Sequence, residues 1–179
     1  MGSLKRLFTK IRINSMNNDA YIKYLRSKNM RIGEGCNISK AADFGSEPYL
    51  ITIGNNVRIT KNVHFITHDG GLWTLRQIGL IDKEAVKYGR IKIGDNCNIS
   101  WNVIIMPNVT IGDNCVIAAG AVITKDVPAG EVWGGVPGHK IETIEEYLNK
   151  VKNSTVPTFS MSKDKKEAWL KENKPELFN

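Results

Sequence analysis

Residues 93-IGDNCNISWNVIIMPNVTIGDNCVIAAGAVI-123 contain the most regular pattern in the chain. Every sixth position in this run is isoleucine: Ile93, Ile99, Ile105, Ile111, Ile117 and Ile123. A second row of small or apolar residues follows each isoleucine by four positions: Cys97, Val103, Val109, Cys115, Ala121 and Val127. A period of six does not fit the 3.6-residue helix but contains the strand period of two. It predicts a repeated unit of a short strand and a turn.

Three such units would make one triangular coil, with a period of 18. The test is similarity between positions 18 apart, and residues 93–97 and 111–115 both read Ile-Gly-Asp-Asn-Cys. Stacked coils would place these copies about 4.8 Å apart. The same period occurs upstream at Ile53, Ile59 and Phe65, and more raggedly at Ile32, Ile38 and Phe44. The pattern predicts a solenoid with asparagine at its corners, where that residue tolerates left-handed backbone and forms ladders.

One long interruption breaks the rhythm. Phe65 and Ile93 lie nearly five repeat units apart where the pattern needs one, so most of the intervening segment must leave the coil. The excursion reads "THDGGLWTLRQIGLIDKEAVKYG" and begins shortly after His64. Loops of this size inside a compact domain are usually functional.

The run from Ile93 to "GGVPGHKI" at 134–141 resembles the hexapeptide-repeat acyltransferases. The resemblance covers roughly residues 30–141 and implies a mainly β fold, a left-handed parallel β-helix of hexapeptide repeats, with short helices at its two ends. The left hand is implied by the resemblance, since the spacing alone indicates only a solenoid. Asn108 stands where the family commonly has glycine, and asparagine is the next best residue for a positive φ.

The family uses a histidine in the loop of the middle coil as general base, and His68 is the matching position. In acyl transfer to a hydroxyl group, the acceptor loses a proton as it attacks the thioester. An imidazole with its ordinary pKa of about 6.5 accepts that proton near neutral pH. Asp69, the next residue, and Glu47 in "FGSEPYL" are the two candidates to orient the imidazole.

Three further residues are predicted to bind the acceptor. His64 lies on a strand and points away from the core, where it would line the cleft. Trp73 and Arg76 suit a sugar, because an indole stacks on an apolar sugar face and a guanidinium holds carboxylates or hydroxyls. Packing of these loop residues against a neighbouring subunit is the alternative interpretation.

The acetyl donor is predicted to bind along the last coils. The small residues of "AAGAVITKDVP" would let an extended pantetheine arm lie on the backbone. The resemblance implies acetyl-CoA as co-substrate, with no metal, and places the following residues along it: Ser100, Trp101, Ala119, Thr124, Lys125, His139 and Lys140. Trp101 replaces a residue that is usually small. Family members form homotrimers with sites between subunits, so His68 of one chain would face residues 119–125 of its neighbour.

The leading functional hypothesis is an acetyl-CoA-dependent O-acetyltransferase that modifies a sugar hydroxyl of a bacterial capsule or another surface glycan or its precursor. The alternatives are an N-acetyltransferase of an amino sugar, an acetyltransferase of a small xenobiotic, and a non-catalytic β-helix scaffold. A zinc lyase on the same fold would need three histidine ligands. His139, the third histidine after His64 and His68, lies beyond the last repeat.

The predicted organisation is a basic arm and helix over 1–29, the β-helix over 30–141 with its loop over 67–90, and a helical tail over 142–179. Residues 1–31 hold eight basic residues and one acid, and so account for the whole net charge of +7. The neutral remainder argues against nucleic acid as a partner. Residues 1–13 have an apolar face compatible with peripheral membrane contact. Three cysteines without metal-ligand spacing favour a cytoplasmic protein, at most at the inner face of the membrane.

Overall fold

The structure is a computed structural model that describes residues 11–179. The predicted membrane contact of the arm therefore lies mostly outside the described residues. The chain divides into two compact units, one extending to Glu145 and the other spanning Glu146–Asn179. No helix among the described residues has the length and apolar character needed to span a bilayer.

The first unit is a parallel β-helix with three sheets, one on each side of a triangular coil. Sheet A contains β1 (Arg31–Ile32), β3 (Ile51–Ile53), β6 (Ile91–Ile93) and β9 (Thr110–Ile111). Sheet B contains β2 (Asn37–Ile38), β4 (Arg58–Ile59), β7 (Asn98–Ile99), β10 (Val116–Ile117), β12 (Glu131–Gly134) and β13 (His139–Thr143). Sheet C contains β5 (His64–Phe65), β8 (Ile104–Ile105) and β11 (Val122–Ile123). All pairings between these strands are parallel except that of β12 with β13, which form an antiparallel hairpin.

The register confirms the predicted period of the coil. Ile93 pairs with Ile111, and Ile99 pairs with Ile117, each exactly one coil later in the sequence pattern. Ile53 pairs with Ile93, because the excursion is inserted between these two coils without displacing them. The stacking therefore continues across the interruption without a slip.

Both predicted rows of side chains fill the core. The six isoleucines of the repeat are 0% exposed, and Cys97 and Cys115 are 2% and 0% exposed. The prediction that these cysteines are small inward fillers is confirmed, since all three cysteines are free and buried. Burial of the stacked rows supplies most of the driving force for folding.

Truncating one inward isoleucine should measurably destabilise the solenoid. Ile105 is fully buried between Phe65 and Ile123 in sheet C. We expect Ile105→Ala to lower the free energy of unfolding by about 2–5 kcal/mol, because the stacked coils cannot collapse into the cavity. Denaturant unfolding at a fixed protein concentration measures this loss. Val116→Ala on the outer face of sheet B is the matched control and should cost much less.

Asparagines make the corners. Asn56, Asn96 and Asn114 have φ angles of 54–58°, and their side chains form a ladder with N–O distances of 3.1 and 3.0 Å. Asn108 has a φ of 64°, so it occupies the positive-φ position predicted for it. Gly94 precedes the corner, where an added Cβ would lie 2.8 Å from the backbone nitrogen of Asp113 in the next coil. This close approach explains the Gly-Asp-Asn sequence.

Helices lie before, within and after the solenoid in the chain. Helix α1 (Asn18–Arg26) begins at Asn17, whose side chain accepts a hydrogen bond from the Ala20 nitrogen at 2.9 Å. Helix α2 (Leu72–Gln77) belongs to the excursion. Helix α3 (Ile144–Val151) runs from the first unit into the second, which also holds α4 (Lys163–Asn173).

Candidate active site

The excursion is closed at its base by a short antiparallel ladder. His68 pairs with Tyr88. The Asp69 nitrogen donates to the Lys87 oxygen at 2.9 Å, and the Gly89 nitrogen donates to the Thr67 oxygen at 2.8 Å. His68 is therefore held on a fixed backbone just beyond the end of β5, although it belongs to a long loop.

A carboxylate holds the His68 ring from behind. Nδ1 of His68 lies 2.9 Å from Oε2 of Glu47, and the same oxygen accepts the hydroxyl of Thr67 at 2.6 Å. Glu47 precedes a 3₁₀ turn, Pro48–Leu50, and its side chain is only 12% exposed. The hydrogen bond from Thr67, and then that from His68, lower the pKa of Glu47.

This geometry selects the imidazole tautomer. An ionised carboxylate can only accept hydrogen bonds, so Nδ1 of His68 carries a hydrogen, and in the neutral imidazole Nε2 is then the nitrogen with the lone pair. Of the two candidate carboxylates, Glu47 is the one that contacts His68. Asp69 instead accepts a hydrogen bond from the Gly71 nitrogen at 2.9 Å and supports the turn of its own loop.

His68 opens into a cavity of about 400 Å³. The wall includes the outer side chains at the end of sheet C, which stand in consecutive coils: Ile66, Met106 and Thr124. The rest of the lining comes from the loop base and the neighbouring corner: Asp69, Gly70, Gly71, Lys87, Pro107 and Asn108. The cavity thus joins the excursion to the coils that follow it.

The cavity lining does not include the other residues predicted to bind the acceptor, which are His64, Trp73 and Arg76. His64 is exposed on the outer face of sheet C, with Nδ1 3.6 Å from Oδ2 of Asp43. Trp73 is 61% exposed on α2. Arg76 donates to the Ala85 oxygen at 2.5 Å and so braces the loop. In residues 11–179 no three His, Cys, Asp or Glu side chains group as a metal site.

The predicted donor residues occupy three places. Ser100, Trp101 and Ala119 lie at the corner between sheets B and C, where the Gly120 nitrogen donates to the Trp101 oxygen. Thr124 and Lys125 follow β11 at the next corner, and Thr124 lines the His68 cavity. His139 and Lys140 lie on β13.

Two of these cations have contacts within the first unit. The ammonium of Lys125 lies 5.4 Å from the centre of the Trp133 ring. Lys140 pairs with Glu131 at 2.9 Å. The Lys125 and Lys140 side chains are therefore each held by a contact with a neighbouring residue.

Thr67 and Tyr88 belong to the site but were not predicted from the sequence. Thr67 is 1% exposed and holds Glu47, and the Tyr88 ring stands edge-on to His68 with 6.4 Å between ring centres. The parity of β5 signals Thr67, because it continues the inward row of Phe65. No local pattern in the sequence predicts a role for Tyr88, because its position depends on pairing with His68 across the whole excursion.

A parallel β-helix of six-residue repeats, with a carboxylate-oriented histidine at a cavity beside the coils, defines the class of hexapeptide-repeat acyltransferases. The model of the family "Bacterial transferase hexapeptide (six repeats)" matches residues 90–125. The chain is 42% identical to "Protein CapG" of Staphylococcus aureus over 93% of this chain and 94% of that protein. This protein belongs to the bacterial hexapeptide-repeat transferase family, and it is an acyltransferase.

Solved structures agree with the assignment. An acetyltransferase of Vibrio cholerae O1 biovar eltor, complexed with acetyl coenzyme A, matches with a TM-score of 0.55 and 26% identity, over 75% of this chain and 82% of that one. A maltose O-acetyltransferase of Clostridium difficile 630 matches with a TM-score of 0.52 and 27% identity, over 75% and 81% of the two chains. The fold is the left-handed β-helix of these acetyltransferases.

Proposed function

We propose that this protein transfers an acetyl group from acetyl-CoA to a sugar hydroxyl of a bacterial capsule or another cell-surface glycan, or of its precursor. The observation that carries the proposal is the His68–Glu47 pair at the 400 Å³ cavity. The names of two relatives support the substrates: one was solved with acetyl-CoA, and one is a maltose O-acetyltransferase.

The proposed mechanism is direct transfer. Nε2 of His68 takes the proton of the acceptor hydroxyl, and the oxygen attacks the thioester carbonyl. The new C–O bond forms, backbone N–H groups stabilise the oxyanion, and the C–S bond breaks as the carbonyl reforms. The imidazolium then returns its proton to the departing thiolate. Glu47 stabilises the imidazolium between these steps and keeps Nε2 aimed at the cavity.

The proposed donor site lies on the later coils of a neighbouring subunit in a homotrimer. The outer face of sheet C supports such packing, because it presents half-buried apolar side chains: Ile66, Ile104, Met106 and Val122. Ala119 and Thr124 border the same face and would contact the pantetheine arm, while Lys125, His139 and Lys140 would reach the nucleotide phosphates. The proposed location is the cytoplasm, which is where acetyl-CoA and a glycan precursor would meet.

A screen of sugars and activated sugars with acetyl-CoA tests the proposal. The expected result is a product heavier by one acetyl group, whose ester is cleaved by mild base. An amide product that resists mild base would favour the N-acetyltransferase alternative. A purified protein that binds no coenzyme A would refute the enzymatic proposal.

Thr67 is proposed as a positioning residue that acts through Glu47. Replacing it with valine removes a hydrogen bond to a buried carboxylate, and such bonds contribute about 1.5–3 kcal/mol. We expect Thr67→Val to lower kcat about tenfold with little change in KM. Because that bond lowers the pKa of Glu47, the variant should protonate Glu47 at higher pH, and its deficit should grow as the pH falls.

The conservative variant separates this role from packing. Thr67→Ser keeps the hydroxyl and should retain most of the activity and the wild-type pH profile. A Thr67→Val enzyme whose loss is the same at every pH would contradict the role through Glu47.

A further inference from the structure

The outer face of sheet A carries a row of two basic side chains and two threonines in register. Arg31, Thr52, Lys92 and Thr110 are paired partners on four adjacent strands. Neighbouring strands are about 4.8 Å apart, so the Cα atoms of Arg31 and Lys92 are about 10 Å apart. Arg90 precedes Lys92 by the strand period of two, and so lies on the same face. The three cations converge on a groove of about 480 Å³.

These cations have no ion-pair partner among residues 11–179, and no carboxylate lines the groove. Arg31, Arg90 and Lys92 are all exposed. Two acids lie at its borders. Asp126 accepts the Thr110 nitrogen at 2.7 Å. Asp95 accepts the Asn55 nitrogen at 2.7 Å, and this bond, with a smaller contribution from the charge of Lys92, lowers the pKa of Asp95. Three cations against these two border acids leave the groove with a local excess of positive charge.

The groove adjoins the His68 cavity. Asn108 lines both. Arg90 follows Tyr88, the pairing partner of His68, by two positions, which span at most about 7 Å of chain. Gly89 fixes that segment, because its nitrogen bonds Thr67 and a Cβ on it would lie 2.6 Å from the Asn108 nitrogen. The backbone of Arg90 is thus held close to the strand segment that pairs with His68.

We infer that the groove binds the diphosphate of a soluble activated sugar whose hydroxyl lies at His68. This inference rests on the proposed function and names its acceptor class. Guanidinium groups bind phosphate oxygens in bidentate fashion, and three cations match the charge of a diphosphate better than that of a single carboxylate. Thr52, Thr110 and Asn108 add hydroxyl and amide donors to the lining.

A lipid-linked acceptor fits less well. Ile91 is the apolar residue of the lining, and it is 1% exposed, so the groove offers no exposed apolar side chain to an acyl or prenyl chain. Of the predicted donor phosphate residues, His139 and Lys140 lie on β13 in sheet B, whereas the groove crosses sheet A. Lys125 is next to Asp126, which accepts the nitrogen of Thr110 in the groove lining, so binding to the groove has to be measured with coenzyme A already bound.

The kinetic test compares a UDP-linked sugar with the same free sugar at saturating acetyl-CoA. The wild type should show a kcat/KM at least about tenfold higher for the UDP-linked form, because the diphosphate adds ionic contacts. The double variant Arg90→Gln/Lys92→Gln should raise KM for the UDP-linked sugar about tenfold, and leave its kcat and the free-sugar kcat/KM unchanged. Arg58→Gln, an exposed arginine on sheet B, is the matched control and should change neither.

A binding experiment tests the groove without catalytic turnover. Inorganic pyrophosphate is titrated calorimetrically into enzyme saturated with coenzyme A, which fills the donor's own phosphate site. Binding by the wild type and the Arg58→Gln variant, and its loss in the double variant, are expected. Equal kinetics for free and UDP-linked sugars, a preference for a methyl glucuronide, or pyrophosphate binding that survives the double substitution would each overturn the inference. A wild type that acetylates no sugar yet binds pyrophosphate in this way would refute the proposed function and still support the groove as a diphosphate-binding site.

Discussion

His68→Ala should abolish acetyl transfer, with kcat/KM falling by at least about 10²-fold. General base catalysis contributes about 10²- to 10⁴-fold, and no second imidazole lines the described cavity. The loss should fall on kcat, because the ring is needed when the hydroxyl proton leaves rather than when substrates bind. Steady-state kinetics with the acceptor identified in the screen measures it.

Three measurements distinguish lost chemistry from lost structure. The variant should keep its oligomeric state, its unfolding midpoint and nearly its full affinity for coenzyme A, since His68 is about half exposed and makes one side-chain hydrogen bond. Added imidazole should restore part of the rate by entering the vacated space. Retention of more than about a tenth of wild-type kcat/KM, a difference of only about 1.4 kcal/mol, would show that the base is another group.

Glu47→Gln should have the second-largest effect, a fall in kcat of about 10²-fold. The amide of glutamine can donate a hydrogen bond to Nδ1 of His68, which would leave the hydrogen on Nε2 and remove the lone pair that the base needs. The amide also cannot stabilise the imidazolium as a carboxylate does. The measurement is kcat as a function of pH, for the wild type and the variant.

The pH dependence of kcat distinguishes the loss of the Glu47 carboxylate from a general structural defect. The pKa of Glu47 is lowered, so in the wild type its carboxylate supports His68 at neutral pH and loses that role only as the pH falls through this low value. Glu47→Gln should therefore be slow across the neutral range. Glu84→Gln, an exposed residue of the same excursion, is the matched control and should have wild-type kinetics. A Glu47→Gln enzyme with wild-type kcat would exclude the orienting role.

The main residue of the site could be predicted from the sequence, but its surroundings could not. His68 was predicted because it opens the interruption and matches the family's base. From the sequence alone, Glu47 and Asp69 are equal candidates, because a carboxylate next to His68 and one about a coil earlier could both contact the imidazole. The hydrogen bond between Glu47 and His68 joins two separate coils, and its geometry depends on the 3₁₀ turn after Glu47 and on the burial of Thr67.

The same division applies to the groove. Arg31, Arg90 and Lys92 are unremarkable in the chain, because the first lies far from the other two in sequence. They become neighbours only when β1, β3 and β6 stack in register. Charge counting along the chain assigned Arg31 to the basic segment 1–31 and did not reveal that it meets Arg90 and Lys92 on the solenoid.

The solenoid, its period, its inward rows and the point at which the coil opens all follow from the amino-acid sequence without further information. They depend on a six-residue rhythm that is local and repeated, so each unit specifies its own strand and corner. Only the three-dimensional structure established which carboxylate contacts the imidazole and that Tyr88 pairs with His68 at the base of the loop. It also showed that Arg31 shares one groove with Arg90 and Lys92. Those contacts arise between different coils and across the excursion, where side-chain direction and register, rather than any local pattern, set which atoms meet.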